Sequence, residues 1–209
     1  MQTNNYHSKF IPSQEKSDRL LIVLHGLGDS YLGYTWLPEE LNDPKLNYLL
    51  LNAPDMFYEG FAWYDLYDDQ AGGIIRSRKL LFNLFAELKE NGWDLSKVAL
   101  FGFSQGCVMC LDVGLRYPEV FAGICGVSGY LFADKNFASE ISSKAKEQKW
   151  LFTYGSEDTV VPRAGTLQSI AMLQSLEIPL LAKEFNKGHT IEPNEELPFI
   201  KNWLSSLWL

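Results

Sequence analysis

Hydrophobic positions along this chain fall into two alternating patterns. Short apolar runs, 20–24, 46–51 and 98–101, stop abruptly at polar or glycine-bearing turns. Apolar runs of that length are expected of strands covered on both faces. Further strands are expected at about 121–127, 150–154 and 180–185. Between these runs the spacing changes to that of helices. From Gly73 to Asn91, the residues Ile74, Leu81, Leu84, Phe85 and Leu88 share one face, while Arg76, Lys79, Glu87 and Lys89 fall largely elsewhere. Asn91-Gly92 is the stop signal. Helices are also expected at about 105–116, ended by Pro118, and at 163–176. A last helix carries Phe199, Ile200, Trp203, Leu204 and Leu207 as one stripe. Buried strands alternating with amphipathic helices predict an α/β fold with a mostly parallel central sheet and helices on both faces. One domain over residues 1–209 is expected. The stretch 52–72 has no regular signal, and a loop that long in a compact domain predicts a functional segment or a covering flap.

Composition changes this picture in three ways. With 46% apolar residues in 209, the chain can bury a full core. A formal charge of -8, with no run of Lys or Arg, speaks against a nucleic-acid partner. The leading residues Met1 to Tyr6 lack a basic start and a long apolar stretch, so neither a signal peptide nor a transmembrane helix is expected, and the chain reads as cytoplasmic. Three cysteines, an odd number, do not suggest a disulfide framework. Cys107 and Cys110 have the spacing of a metal or redox pair, but no further ligands lie near them in sequence, and packing inside a helix accounts for them.

Candidate chemistry is concentrated at Gly102-Phe103-Ser104-Gln105-Gly106, where an apolar strand gives way to a helix. A serine on such a turn projects its hydroxyl out of the sheet, at the end of a helix whose first amides lack partners. A hydroxyl needs a base, and the base needs an orienting acid. The chain has three histidines. His7 lies near the start, His25 ends a strand, and His189 follows a late strand in Lys187-Gly188-His189. The order serine, acid, histidine typical of this kind of sheet selects His189. Glu157 and Asp158 both follow the strand ending at Tyr154, and spacing alone does not separate them.

Taken together, His25-Gly26-Leu27-Gly28-Asp29, Trp63-Tyr64-Asp65, Gly102-Phe103-Ser104-Gln105-Gly106, Val127-Ser128-Gly129-Tyr130-Leu131, Asp158-x-x-Val161-Pro162 and Gly188-His189 resemble the small carboxylesterase/acyl-protein thioesterase family of α/β-hydrolases. The resemblance implies Ser104 as nucleophile, Asp158 as acid and His189 as base. It also implies the backbone N–H groups of Leu27 and Gln105 as an oxyanion hole, a lightly covered site without a lid domain, and no cofactor or metal. His25 and Asp29 are expected to pin the loop that carries Leu27. The chain departs from the family pattern at Cys107, Tyr154 and Phe132, none of which is a triad position.

Aromatic residues crowd the segment before the helix at 73–91, and Leu131 and Phe132 follow another strand end. Trp63, Tyr64, Leu131 and Phe132 are therefore expected to bind the acyl chain, because ligands gather at the carboxyl ends of parallel strands. The expected activity is hydrolysis of carboxylic esters, and of thioesters, with short to medium acyl chains through an acyl-serine. The alternative is a lysophospholipase or an acyl-protein thioesterase acting on long chains, whose partner would be a lysophospholipid or an acylated protein. A non-catalytic binding protein on the same fold is a third reading, opposed by the complete triad. The family includes dimers, so a homodimer is among the expected assemblies.

Overall fold

The apolar runs form the centre of a seven-stranded sheet. The computed structural model describes residues 6–209, so the reading of the first five residues lies outside the described ones. In chain order the elements are β1 (Ser8–Ile11), β2 (Arg19–Leu24), α1 (Leu37–Leu41), β3 (Leu46–Leu51), β4 (Asp55–Phe57), β5 (Gly60–Ala62), α2 (Gln70–Glu90), β6 (Val98–Phe103) and α3 (Gln105–Arg116). Then come β7 (Gly123–Val127), α4 (Phe137–Glu140), β8 (Trp150–Gly155), α5 (Arg163–Ser175), β9 (Leu180–Phe185) and α6 (Glu196–Ser205). The sheet runs β1-β3-β2-β6-β7-β8-β9, with every neighbouring pair parallel except β1 with β3.

The two faces of β2 show why its sequence is unbroken. Leu20, Ile22 and Leu24 enter one core layer with α2, α3 and α5, while Leu21 and Val23 enter the other with α1 and α6. Successive side chains of a strand point to opposite faces, so a strand covered on both sides needs apolar residues at every position. Each such leucine contributes about 1.5–3 kcal/mol when fully buried. All three cysteines are buried free thiols in this core.

Five features depart from the sequence-based expectation, one of them the unexpected short helix α4. The edge strand β1 and the short helix α1 carry too little periodicity to be read. The stretch expected to be irregular, 52–72, holds the hairpin of β4 and β5, and a bridge from Asp29 to Phe61 ties it to the loop after β2. Helix α2 starts at Gln70 rather than Gly73, because Asp69 caps it by accepting from the Gly72 amide. No helix among the described residues is long and apolar enough to cross a membrane.

Parallel pairing puts the carboxyl ends of β2, β6, β7, β8 and β9 on one rim. The segments leaving that rim carry Leu27, Ser104, Ser128, Asp158 and His189.

Candidate active site

Ser104 sits between β6 and α3 with φ 54° and ψ -116°. A non-glycine residue held there costs about 1–3 kcal/mol, and the neighbouring sequence makes it sterically possible. A Cβ on Gly102 would come within 2.2 Å of the Gly106 carbonyl oxygen, and one on Gly106 within 2.1 Å of the Leu24 oxygen. Both contacts are with backbone, so only glycine allows helix α3 to begin this close to β2 and β6. The Ser104 amide donates to the Val127 carbonyl at 2.9 Å, which fixes the turn against β7.

His189 meets this serine from the far side of the rim. Its Nε2 lies 2.9 Å from Ser104 Oγ, and its Nδ1 lies 2.8 Å from Asp158 Oδ2. An ionised carboxylate only accepts, so Nδ1 carries the proton and Nε2 is free to accept from the hydroxyl. The other Asp158 oxygen accepts the amides of Val160 and Val161 at 2.9 and 2.8 Å. The Asp158 side chain is 2% exposed and that of His189 is 16% exposed, so the acid is shielded while the imidazole faces the cleft. Glu157, the other carboxylate considered from sequence, is exposed, and its amide donates to the Lys187 carbonyl.

The loop after β2 brings Leu27 to the same place. His25 is wholly buried; its Nε2 accepts the Ala53 amide at 3.0 Å, so its Nδ1 carries hydrogen and donates to the Gly26 carbonyl at 2.6 Å. Burial holds this imidazole below its ordinary pKa and hence neutral. Among the described residues the amides of Leu27 and Gln105 have no acceptor. Both line a cavity of about 340 Å³ with Ser104, Tyr130, Val161 and His189.

The residues expected to hold the acyl chain are placed differently from one another. Trp63 does not line the cleft. It is wholly buried, its indole donates to the His25 carbonyl at 2.9 Å, and its amide donates to Gln105 Oε1. Its place is in the core because Gln105 reaches down from α3 and binds both Trp63 and, through Nε2, the Tyr64 carbonyl. Tyr64 is also buried, but it borders the cavity, and its hydroxyl lies 3.0 Å from that of Tyr130. Burial pushes the Tyr64 phenol well above its ordinary pKa. Leu131 lines a second hollow of about 360 Å³ along α5 with Gly165 and Met172. This hollow shares Tyr130, Val160 and Val161 with the first. Phe132 packs half-buried against the core. Tyr130, Val160 and Gly165 were not singled out as contacts from sequence. Tyr130 and Val161 lie inside quoted motifs, but only the meeting of two loops makes them neighbours.

The Phospholipase/Carboxylesterase family model matches residues 5–208. Acyl-protein thioesterase 1 of Schizosaccharomyces pombe is 34% identical over 179 residues, covering 79% of this chain and 80% of that protein. Acyl-protein thioesterase 1 of Yarrowia lipolytica is 27% identical over 219 residues, covering 95% and 96%. The crystal structure of esterase PE8 superposes with a TM-score of 0.84 at 27% identity, over 97% of this chain and 99% of that one. The match begins before β1 and ends beyond α6, so the likeness takes in every strand of the sheet and not just a shared motif. This chain belongs to the phospholipase/carboxylesterase family and has the α/β-hydrolase fold.

Proposed function

We propose that this serine hydrolase cleaves carboxylic esters and thioesters with Ser104 as nucleophile, His189 as general base and then acid, and Asp158 as the group that orients the imidazole. The observation that carries this reading is the continuous relay from Ser104 Oγ to His189 at 2.9 Å and from His189 to Asp158 at 2.8 Å. As Oγ attacks the acyl carbon, its proton passes to Nε2 and the carbonyl oxygen becomes an oxyanion. The unpartnered amides of Leu27 and Gln105 are the donors for that charge. His189 then returns the proton to the leaving alcohol or thiol. A water molecule activated by the same Nε2 attacks the acyl-serine, releasing the acid and restoring the hydroxyl.

Two supports point to a substrate with a substantial acyl chain. The 340 Å³ cavity at Ser104 and the 360 Å³ hollow along α5 share Tyr130, Val160 and Val161 as lining. Two relatives are named acyl-protein thioesterases. Hydrolysis of longer acyl thioesters on proteins is therefore the second reading of the same site. Ser104→Ala is expected to lower kcat by about 10⁶, the loss typical of a triad nucleophile, and to abolish labelling by a fluorophosphonate. Undiminished ester hydrolysis by that variant would remove Ser104 from the mechanism. A p-nitrophenyl ester series of increasing length, run beside a palmitoyl thioester and a lysophospholipid, separates the two readings.

A further inference from the structure

The loop that carries His189 is fastened by a buried ion pair that takes no part in the relay. Lys187 Nζ donates to both carboxylate oxygens of Glu196, at 2.5 and 2.6 Å, to the Thr190 carbonyl at 2.8 Å and to Ser128 Oγ at 3.0 Å. The two ionic side chains are 1% and 0% exposed. The bond to Thr190 closes a ring around Gly188 and His189. The bond to Glu196 ties that ring to the first turn of α6, and the bond to Ser128 ties it to the end of β7, beside the turn that holds Ser104. The Lys187 backbone carbonyl also accepts the Glu157 amide at 3.1 Å, next to Asp158. One residue thus joins the segments bearing all three members of the relay. Burying such a pair gives little or no stability over an apolar pair of the same size, so its geometry is the more informative property.

We propose that Lys187, held by Glu196, is a positioning residue for His189. It touches none of the reacting atoms. It holds the 187–190 loop so that Nε2 stays within bonding reach of Ser104 Oγ while Nδ1 stays on Asp158. This proposal rests on the triad reading given above. The test is the double variant Lys187→Met/Glu196→Gln, which removes both charges together and leaves no lone buried ion. The expected result is a kcat about 10–100-fold lower, the scale of an ångström-sized misplacement of a catalytic group, with KM within roughly twofold and the melting temperature nearly unchanged. A folded variant with wild-type kcat overturns the proposal. So does a loss of kcat that only follows a large fall in melting temperature and a raised KM. Should the double variant prove insoluble, Ser128→Ala removes one contact of the same clamp. A kcat lowered about threefold or more at unchanged KM then supports the proposal, and an unchanged kcat overturns it. Ser104→Ala in the same assay separates the two claims. If it stays active, the triad reading fails and the clamp with it; if it is dead while the double variant is fully active, only the clamp fails.

Discussion

His25 offers a perturbation whose two consequences can be pulled apart. The Gly26 carbonyl and the Leu27 N–H are opposite ends of one planar trans peptide, so pinning the first aims the second. His25 Nδ1 does this pinning at 2.6 Å, while Nε2 satisfies the Ala53 amide at 3.0 Å. Glutamine extends its amide to where Nε2 lies and can keep the Ala53 bond alone. Asparagine stops near Nδ1 and can keep the Gly26 bond alone. Losing an oxyanion donor outright costs about 10²–10³ in kcat, and since the Gly28 amide stays bonded to the Phe61 carbonyl at 2.9 Å and keeps a partial hold on the loop, His25→Gln is expected to lose about 10–100-fold. His25→Asn leaves a buried amide unpaired, worth about 1–3 kcal/mol, with kcat largely kept.

The assay pairs urea unfolding with kcat and KM on p-nitrophenyl butyrate. Stability should also fall as pH drops from 7 towards 5. The folded imidazole is held below its ordinary 6.5, so in that interval the unfolded chain binds more protons than the folded one. Both variants should flatten that slope. Equal kcat losses in the two variants, or full kcat in His25→Gln, would refute the claim that this ring aims the Leu27 amide.

Two further outcomes are expected. Gly106→Ala puts a methyl against the Leu24 and His25 carbonyl oxygens, at 2.1 and 2.8 Å, where no flexible side chain can yield. It should cost about 1–3 kcal/mol in chemical denaturation, and kcat should fall by about tenfold or more, because the Ser104 turn and the Leu27 loop are pushed apart. At Gly165 a Cβ would meet nothing within 4 Å. Gly165→Leu should therefore leave the melting temperature unchanged or higher, since glycine in a helix costs about 0.5–1 kcal/mol relative to alanine, and should move the ester-series optimum to shorter chains. An unmoved optimum would take the acyl chain out of the hollow along α5.

Much of the sheet is legible in sequence because it is covered on both faces: 20–24, 46–51 and 98–101 need no partner to be recognised as strands. Ser104 is legible because its two flanking glycines are demanded by backbone packed so close that an added Cβ would lie 2.2 and 2.1 Å from carbonyl oxygens. His189 follows from chain order. Spacing leaves Glu157 and Asp158 open, because both follow the same strand, and only the family resemblance points to Asp158. Asp158 alone accepts the Val160 and Val161 amides and so turns its other oxygen to the imidazole. Trp63 reads as a groove residue from its aromatic neighbours. Its burial depends on Gln105, which contacts it across 42 positions of sequence. The β4–β5 hairpin is equally hidden, since Met56 and Tyr58 are exposed and break any apolar alternation. Lys187 and Glu196 look like ordinary surface charges until α6 folds back beside the His189 loop.

The interior position of the cysteines decides how the ester-or-thioester question can be measured. Burial pushes all three thiols well above their ordinary pKa, so almost none is thiolate in neutral buffer. A disulfide dye added to the native enzyme should develop colour only from coenzyme or peptide thiol set free by turnover. Continuous recording with such a reagent, without alkylating the enzyme beforehand, is thus suited to ranking oxygen against sulfur leaving groups.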